Sequence, residues 1–174
     1  SVQFFVGTTK ESREAVSASG PNNDIIFLVG GVFENSSYGI PLVYIFDTVK
    51  NMWNTPTIQG IQPPRRQNYY SVIDITGKMY IFGGLYNVET GNSTSGYENR
   101  MDILDTIKLT WSQGSQRQAP TSRDGYSATL LLYSIIAYID RFDSITGSAM
   151  SLNEITVGTI PDEHGFHSAV LGKA

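Results

Sequence analysis

The stretch IIFLVGG at residues 25–31 returns as KMYIFGG at residues 78–84. Runs of β-branched and aromatic residues are typical of strands buried on both faces, and paired glycines allow a tight exit where a side chain would clash. A second element repeats too, because Phe46-Asp47-Thr48 with Trp53 returns as Leu104-Asp105-Thr106 with Trp111. A repeat of roughly 50 residues made of short strands is typical of a propeller array, whose units need neighbours to bury their faces.

Four segments share a start that predicts the first strand of each unit. They begin with Arg or His, reach a serine and continue into small or apolar residues: Arg13–Ser17, Arg66–Ser71, Arg123–Ser127 and His164–Ser168. The Gly-Gly stretches are then second strands. Leu42–Asp47 and Arg100–Asp105 are predicted third strands, and the tryptophans lie on fourth strands, where their indoles would fill the gap between adjacent blades.

This order of motifs resembles the kelch repeat, and the resemblance covers essentially the whole chain. It implies an all-β fold, a partial kelch-type β-propeller of about three blades in a single segment, residues 1–174. We place the blades at about residues 13–60, 61–118 and 119–160. Loose end strands at residues 1–9 and 164–174 would belong to incomplete blades, so we expect self-association or further propeller blades to cover the open edges.

The third unit is predicted to be shortened. Asp143 is the best match to the aspartate that ends a third strand, but it follows Ser127 much more closely than in the other units. Residues 127–142 contain no Gly, Pro or Asn on which to turn, and Ala149 stands where the tryptophan should be. We therefore expect a blade of three strands or a different pairing, which has lost about one strand with its Gly-Gly pair and loop.

Composition excludes several classes of function. The net charge of −4 argues against a nucleic-acid surface, which needs clustered Lys and Arg. No apolar run approaches the roughly 18 residues of a membrane span. The absence of cysteine removes disulfides, thiolate catalysis and cysteine-based zinc sites. It also leaves the compartment open, with the cytoplasm as the working assignment.

The residues predict neither an enzyme nor a cofactor or metal site. Proteins with a kelch fold include copper-dependent galactose oxidase, so the resemblance raises the possibility of an oxidase. The crosslinked cofactor of that enzyme needs a cysteine, which this chain lacks. His164 and His167 are the only histidines, and their odd spacing would put them on opposite faces of a strand. Asp47 and Asp105 recur at the end of the third strand, which favours a structural role in the turn that follows.

Candidate binding residues lie in the loops that propeller topology brings to one face. Arg and Tyr concentrate binding energy at interfaces, so we single out the Arg and Tyr residues of these loops and one neighbouring amide. The predicted partner-binding residues are Arg13, Tyr38, Arg65, Arg66, Tyr69, Tyr86, Asn87 and Arg123. The arginines could bind carboxylates of an acidic peptide, as the resemblance to kelch proteins implies, or they could bond local carbonyls and carboxylates. Tyr70 and Tyr126 are expected in the core.

Two functions follow. The first is a non-catalytic protein-interaction module, an adaptor or scaffold, that binds a protein or peptide, possibly acidic, through the Arg/Tyr loop face. The second is an extracellular carbohydrate-binding propeller like galactose oxidase but without a metal centre, with Tyr38, Tyr86 and Asn87 as the sugar-contacting residues. A truncated product with no ligand is a third reading.

Overall fold

The computed structural model describes residues 5–6, 10–13, 16–19, 24–33, 39–117, 119, 121–122, 124–131 and 135–139. Their strands are β1 (Phe5–Val6), β2 (Lys10–Arg13), β3 (Val16–Ser19), β4 (Ile25–Val29), β5 (Val32–Phe33), β6 (Val43–Asp47), β7 (Met52–Asn54), β8 (Ser71–Ile73), β9 (Lys78–Phe82), β10 (Leu85–Tyr86), β11 (Gly96–Tyr97), β12 (Met101–Asp105), β13 (Thr110–Gln113), β14 (Ser127–Leu130) and β15 (Ile136–Ile139). One 3₁₀ helix spans Val88–Thr90. No helix in these ranges is long and apolar enough to cross a membrane.

Two four-stranded antiparallel sheets form the first and second blades. Their strand orders are β3-β4-β6-β7 and β8-β9-β12-β13, so each blade runs up and down in chain order. The first strands of successive blades are neighbours, since β3 contacts β8 and β8 contacts β14. This arrangement confirms the all-β, partial propeller fold that the repeat predicts.

The repeated aspartate and threonine close the turn between third and fourth strands. Asp105 Oδ1 accepts hydrogen bonds from the backbone N–H groups of Ile107 (3.1 Å) and Lys108 (2.8 Å). Asp47 Oδ1 accepts the equivalent pair from Val49 and Lys50. The hydroxyl of Thr106 donates to the carbonyl of Gly77 at the neighbouring turn (2.6 Å). The predicted structural role of both aspartates is therefore confirmed.

The main core lies between the first two blades. Phe27 and Val29 of the first blade join Met79, Leu104 and Trp111 of the second in one buried cluster. Alternation along the strands sends the neighbouring side chains to the opposite face of each blade. Trp111 thus fills the gap between blades as predicted.

The outward face of the first blade is only partly covered. Trp53 is half-buried and lies beside Phe46, with 5.0 Å between ring centroids. Phe46 pairs with Trp53 in the first blade as Leu104 pairs with Trp111 in the second, where both residues are buried. The same face of the repeat is therefore buried where another blade packs on it and half-buried where the first blade begins the described array.

The third unit follows a different register from the one we predicted. β14 and β15 pair antiparallel, with Ala128 opposite Tyr138 and Leu130 opposite Ile136. The Tyr138 ring contacts that of Phe82 (5.6 Å), so this side of the hairpin packs on the second blade. Ser71 of the second blade therefore corresponds to Ala128 of the third unit, and not to Ser127 as the sequence motif suggested.

Two further expectations about the third unit are corrected. The chain reverses between Leu131 and Ile135, whose N–H and carbonyl are joined by a 2.7 Å hydrogen bond, without Gly, Pro or Asn. The strand that precedes the place of the Gly-Gly pair, which we expected to be lost, is present as β15. The place of the Gly-Gly pair falls on Asp140-Arg141, which lie outside the described residues together with everything that follows.

The amino-terminal strand also differs from the expectation of a loose outer strand. Phe5–Val6 pairs antiparallel with β2, and β2 pairs with β5 just after the first Gly-Gly pair. The described residues within 1–9 thus join a small sheet with this chain's own β2. The predicted end strand at residues 164–174 lies outside the described part of the chain.

Candidate functional site

The Gly-Gly exits of the first two blades meet at the linker between β7 and β8. The N–H of Gly31 donates to the carbonyl of Arg66 (2.8 Å), and Gln67 exchanges two backbone hydrogen bonds of 2.9 Å with Leu85, which follows the second Gly-Gly pair. Because adjacent residues of one linker reach both exits, these exits lie at the same end of the two blades. We call it the Gly-Gly end.

Arg65 is directed into the first blade. Its Nη1 donates to the carbonyls of Gly30 (2.8 Å) and Gly31 (3.2 Å). Its Nη2 donates to the carbonyls of Ile40 (3.0 Å) and Pro41 (2.6 Å) in the loop that leads to the third strand. The side chain is buried, and burial lowers the pKa of Arg65. The guanidinium thus supplies hydrogen-bond donors to buried backbone carbonyls of the Gly-Gly exit and of the loop that leads to the third strand.

Arg66 is directed into the second blade and is only 2% exposed. Its Nη1 donates to the carbonyl of Gly83 (2.8 Å), and its Nη2 forms an ion pair with Asp102 of β12. The guanidinium carbon also lies 5.6 Å from the centroid of the Tyr69 ring. Two successive arginines therefore bind the equivalent exits of two successive blades.

Asp102 is the buried anion of this end. Arg100 Nε lies 3.0 Å from its Oδ1, and Glu98 is a more distant second partner of Arg100 at 3.9 Å. Burial raises the pKa of Asp102, while the charges of Arg66 and Arg100 oppose the rise. A buried carboxylate needs such cations, because an unpaired one would be strongly unfavourable.

A tyrosine from each linker reaches back to the preceding blade. Tyr69 Oη donates to the carbonyl of Val29 (2.8 Å), and Tyr126 Oη donates to the carbonyl of Phe82. Each carbonyl belongs to the residue just before a Gly-Gly pair. A Cβ at Gly30 would overlap Tyr69 Oη and lie 2.9 Å from a linker carbonyl, so this contact requires glycine.

These contacts establish which residues of the two linkers are equivalent. Tyr69 corresponds to Tyr126, and the residues before them, Asn68 (φ 57°) and Gly125 (φ 64°), share the left-handed conformation. Tyr70 therefore corresponds to Ser127, and Ser71 to Ala128. Tyr70 is half-buried against the core while Tyr126 is fully buried, so the expected core positions of both are confirmed.

The loop between β9 and β12, Leu85–Glu98, has its own ordered structure. β10 and β11 pair within it, and Asn87 caps the 3₁₀ helix by accepting from the N–H of Thr90 (3.1 Å). Asn92 Nδ2 donates to the carbonyl of Arg65 (3.3 Å), which joins the loop to the linker. The loop is thus fixed relative to both blades.

The structure divides the predicted binding residues into three groups. Arg65, Arg66 and Tyr69 are buried, and their polar groups bind this chain's own atoms, as in the structural alternative given above. Tyr86 and Asn87 lie half-buried on the ordered loop, Tyr86 against Gly96. Arg13 belongs to β2, but its side chain, like Tyr38 and Arg123, lies outside what the structure describes.

Two exposed residues of the loop were not among the predicted partner-binding residues, although the sequence placed Tyr97 on the same loop face. Val88 and Tyr97 are large apolar side chains that lie mostly in solvent. Tyr97 sits opposite Leu85 in the β10–β11 pair, whereas Val88 begins the 3₁₀ helix. The length of the loop was the main sequence signal for this surface. Its residues do not predict a capped 3₁₀ helix between two short strands.

A family model identifies the chain. The model of the KLHDC2/KLHL20/DRC7 Kelch-repeats domain matches residues 2–158. The chain belongs to the kelch-repeat family. The resemblance read from the Gly-Gly, Asp-Thr and Trp positions is thereby confirmed.

Curated relatives of this kelch chain are much longer proteins. "Acyl-CoA-binding domain-containing protein 4" of Arabidopsis thaliana is 29% identical over 128 residues, which cover 71% of this chain and 18% of the relative. "Rab9 effector protein with kelch motifs" of Xenopus laevis is 29% identical over 122 residues, 70% of this chain and 31% of the relative. The kelch chain thus spans less than a third of either protein.

A solved structure agrees with the kelch fold. The structure titled "Structure of YjhT" matches with a TM-score of 0.50 and 14% identity, over 68% of this chain and 41% of the other. At this identity the match supports the fold alone. Within the described kelch residues, no group of three or more His, Cys, Asp or Glu side chains could hold a metal ion.

Replacing Arg66 with methionine tests the buried ion pair. Arg66→Met should lower the free energy of unfolding by about 3–5 kcal/mol, because Asp102 would stay buried without its main cation. Adding Asp102→Asn should recover part of the loss by removing the uncompensated charge. Denaturant unfolding measures both. Exposed Arg117 is the matched control, and Arg117→Met should change stability by less than about 0.5 kcal/mol. An equal effect of the Arg66 and Arg117 substitutions would contradict the assigned role.

The buried tyrosines predict a loss of stability at high pH. Burial raises the pKa of both Tyr69 and Tyr126. The unfolded chain therefore releases these protons from about pH 10, where the native chain retains them. Below about pH 10 both states keep these protons, so the two tyrosines do not make stability depend on pH. Above about pH 10 the free energy of unfolding should fall by up to about 1.4 kcal/mol per pH unit for each tyrosine.

The matched variants isolate that contribution. Tyr69→Phe/Tyr126→Phe should show a shallower loss of unfolding free energy above pH 10 than the wild type, although it is less stable at neutral pH because two buried carbonyls lose their donors. Tyr97→Phe, at an exposed tyrosine, should keep the wild-type slope. Identical slopes in all three proteins would contradict the burial of these phenols.

Proposed function

We propose that this kelch chain is a non-catalytic protein-interaction module that binds a partner at its Gly-Gly end. The observation that carries the proposal is the loop Leu85–Glu98, which is held by its own capping hydrogen bonds and by Asn92 on the linker while Val88 and Tyr97 stay exposed. A fixed loop that presents large apolar side chains loses little conformational entropy when a partner binds. Tyrosine is also a common anchor at protein interfaces.

The comparisons support a binding role in general terms. Kelch propellers serve as interaction modules, and one relative is named an effector with kelch motifs. Fold alone does not give function, so the proposal depends on the loop rather than on the family.

The arginine part of the site changes its proposed role. Arg65, Arg66 and Tyr69 form the platform under the loop, because their donors are directed at carbonyls and at Asp102. We propose instead that the exposed side chains of the loop, beside Tyr86 and Asn87, contact the partner. Carboxylate binding by Arg13 and Arg123 remains a prediction, as does contact through Tyr38.

Carbohydrate binding finds no specific support among the described residues. The carboxamide oxygen of Asn87 accepts the N–H of Thr90, and Tyr86 lies over Gly96. Asn87 thus uses its carboxamide oxygen within the loop, and the hydroxyl end of Tyr86 is directed at Gly96. We also keep as a prediction that further blades or a second copy cover the outward face of the first blade.

Selection from a displayed peptide library would test the proposal. Peptides selected on the wild-type protein should lose about tenfold or more in affinity on Val88→Ser/Tyr97→Ala, since two side chains that a bound peptide would cover are removed. Ile61→Ser is the matched control, because Ile61 is exposed outside the loop and its loss should leave affinity unchanged. Affinities would be measured by fluorescence anisotropy.

The contrary results are equally clear. If no peptide is enriched, or if enriched peptides bind the loop variant as tightly as the wild type, binding does not occur at this loop. A glycan array that gives binding abolished by the same loop variant would favour the carbohydrate alternative.

A further inference from the structure

A segment of the linker between β7 and β8 lies along the outer edge of the second blade. β13 is the outermost strand of that sheet, with β12 on its inner side. The N–H of Gln59 donates to the carbonyl of Leu109 (2.9 Å), and the carbonyl of Gln59 accepts from the N–H of Trp111 (2.8 Å). Gln59 thus forms a parallel bridge to the open side of β13. We call residues 57–60 the edge strap.

The edge strap fits closely on β13. Gly60 has a φ of 89°, and a Cβ at this position would lie 2.6 Å from the carbonyl oxygen of Trp111, so the contact requires glycine. On the other side of Gln59, Ile58 is half-buried and packs against the core that contains Trp111. The strap is therefore held by an apolar contact, by two backbone hydrogen bonds and by a close approach that glycine permits.

The sequence of β13 lacks the usual protection of an edge strand. Edge strands that stay unpaired commonly carry a charged side chain, a proline or a bulge, each of which hinders the addition of another strand. β13 reads Thr110-Trp111-Ser112-Gln113, with no charge and no proline, and all four residues pair in regular register with β12. Coverage by the edge strap takes the place of those devices.

We propose that the edge strap is an autoinhibitory contact that prevents a second copy of this chain from adding to β13. With the strap displaced, the carbonyl of Leu109 and the N–H of Trp111 would be open to another strand, because a sheet edge is recognised through its backbone groups. A second copy is the fitting occupant. Two β13 edges can pair antiparallel about a two-fold axis, and their uncharged side chains would not repel each other.

This surface is separate from the loop proposed to bind a partner. The loop lies between β9 and β12 at the Gly-Gly end, whereas the strap lies along the outer strand of the same blade. Neither Val88 nor Tyr97 belongs to β13 or to the strap, so either proposal can fail without the other.

Replacing Gly60 with valine displaces the strap. The added side chain would overlap the carbonyl of Trp111 and would have to adopt a positive φ. Sedimentation velocity over a range of concentrations measures the result. The mass of Gly60→Val should rise with concentration toward about twice that of the wild type, as a two-fold pair requires. Gly39→Val is the matched control, because Gly39 also has a positive φ (69°) but a Cβ there would meet no atom of the described residues within 4 Å. It should keep the wild-type mass.

A second substitution separates strand addition from a simple loss of stability. Ser112 is exposed on β13, so Ser112→Lys should leave the fold unchanged while it places a charge on the edge strand. Pairing of two copies would then bring two added lysines onto one short strand pair, which is unfavourable. Gly60→Val/Ser112→Lys should therefore return to the wild-type mass. Far-UV circular dichroism should show the same β structure in every variant.

Three results would overturn the proposal. They are a wild-type mass for Gly60→Val with its β structure retained, a larger mass that the added Ser112→Lys does not reduce, and an equal increase in Gly39→Val. The second would mean that association does not pass through β13. If Gly60→Val loses its β structure, Gln59→Pro takes its place in the same comparisons, because proline removes the N–H that donates to Leu109 without the overlap at Trp111.

Discussion

The close approach of one linker to two Gly-Gly exits is the constraint on which the rest of this chain depends. A side chain at Gly30 would overlap the tyrosine that comes from the next blade, and a Cβ at Gly84 would lie only 3.0 Å from the ring of the same Tyr69. Because the exits have no side chains, the linker packs directly on the backbone, and its arginines can reach carbonyls on both sides. The blades are thereby joined by polar contacts at the Gly-Gly end in addition to their apolar core.

The repeat made much of this predictable. The Gly-Gly, Asp-Thr and Trp positions were enough to place eight strands in two blades. Each motif occurs where the backbone needs a tight exit or turn, or where the core needs a large side chain. The third unit was less predictable. Its serine invited an alignment of Ser127 with Ser71, but the tyrosine that bonds the preceding blade sets the true register, in which Ser71 corresponds to Ala128. An alignment on the serines is one residue out of register and would reverse which side chains face that blade.

The candidate site was predictable in place but not in detail. Arginine and tyrosine were expected on the loop face, and Arg65, Arg66 and Tyr69 do lie at that end. Composition cannot distinguish an arginine that binds a partner from one that binds a carbonyl of its own chain, since both use the same donors. The difference depends on how near the exits come to the linker, which is a property of tertiary packing.

Two surfaces with different chemistry result from this organisation. The Gly-Gly end is built from internal hydrogen bonds and presents a fixed loop, whereas the turns at the opposite end are closed by aspartate and threonine and carry exposed aliphatic side chains. At both ends, hydrogen bonds within the chain hold the loop or the turns that carry exposed apolar side chains.

Amide hydrogen exchange at Gly31 tests the central claim most directly. Its N–H bonds the carbonyl of Arg66 across the two blades, 2.8 Å away, and belongs to no strand. If the linker joins the blades as described, this amide should exchange as slowly as the amide of Ile81 in the core, through global unfolding. Exchange of Gly31 many times faster than that of Ile81 would mean that the linker opens while the blades stay folded, and would contradict the account.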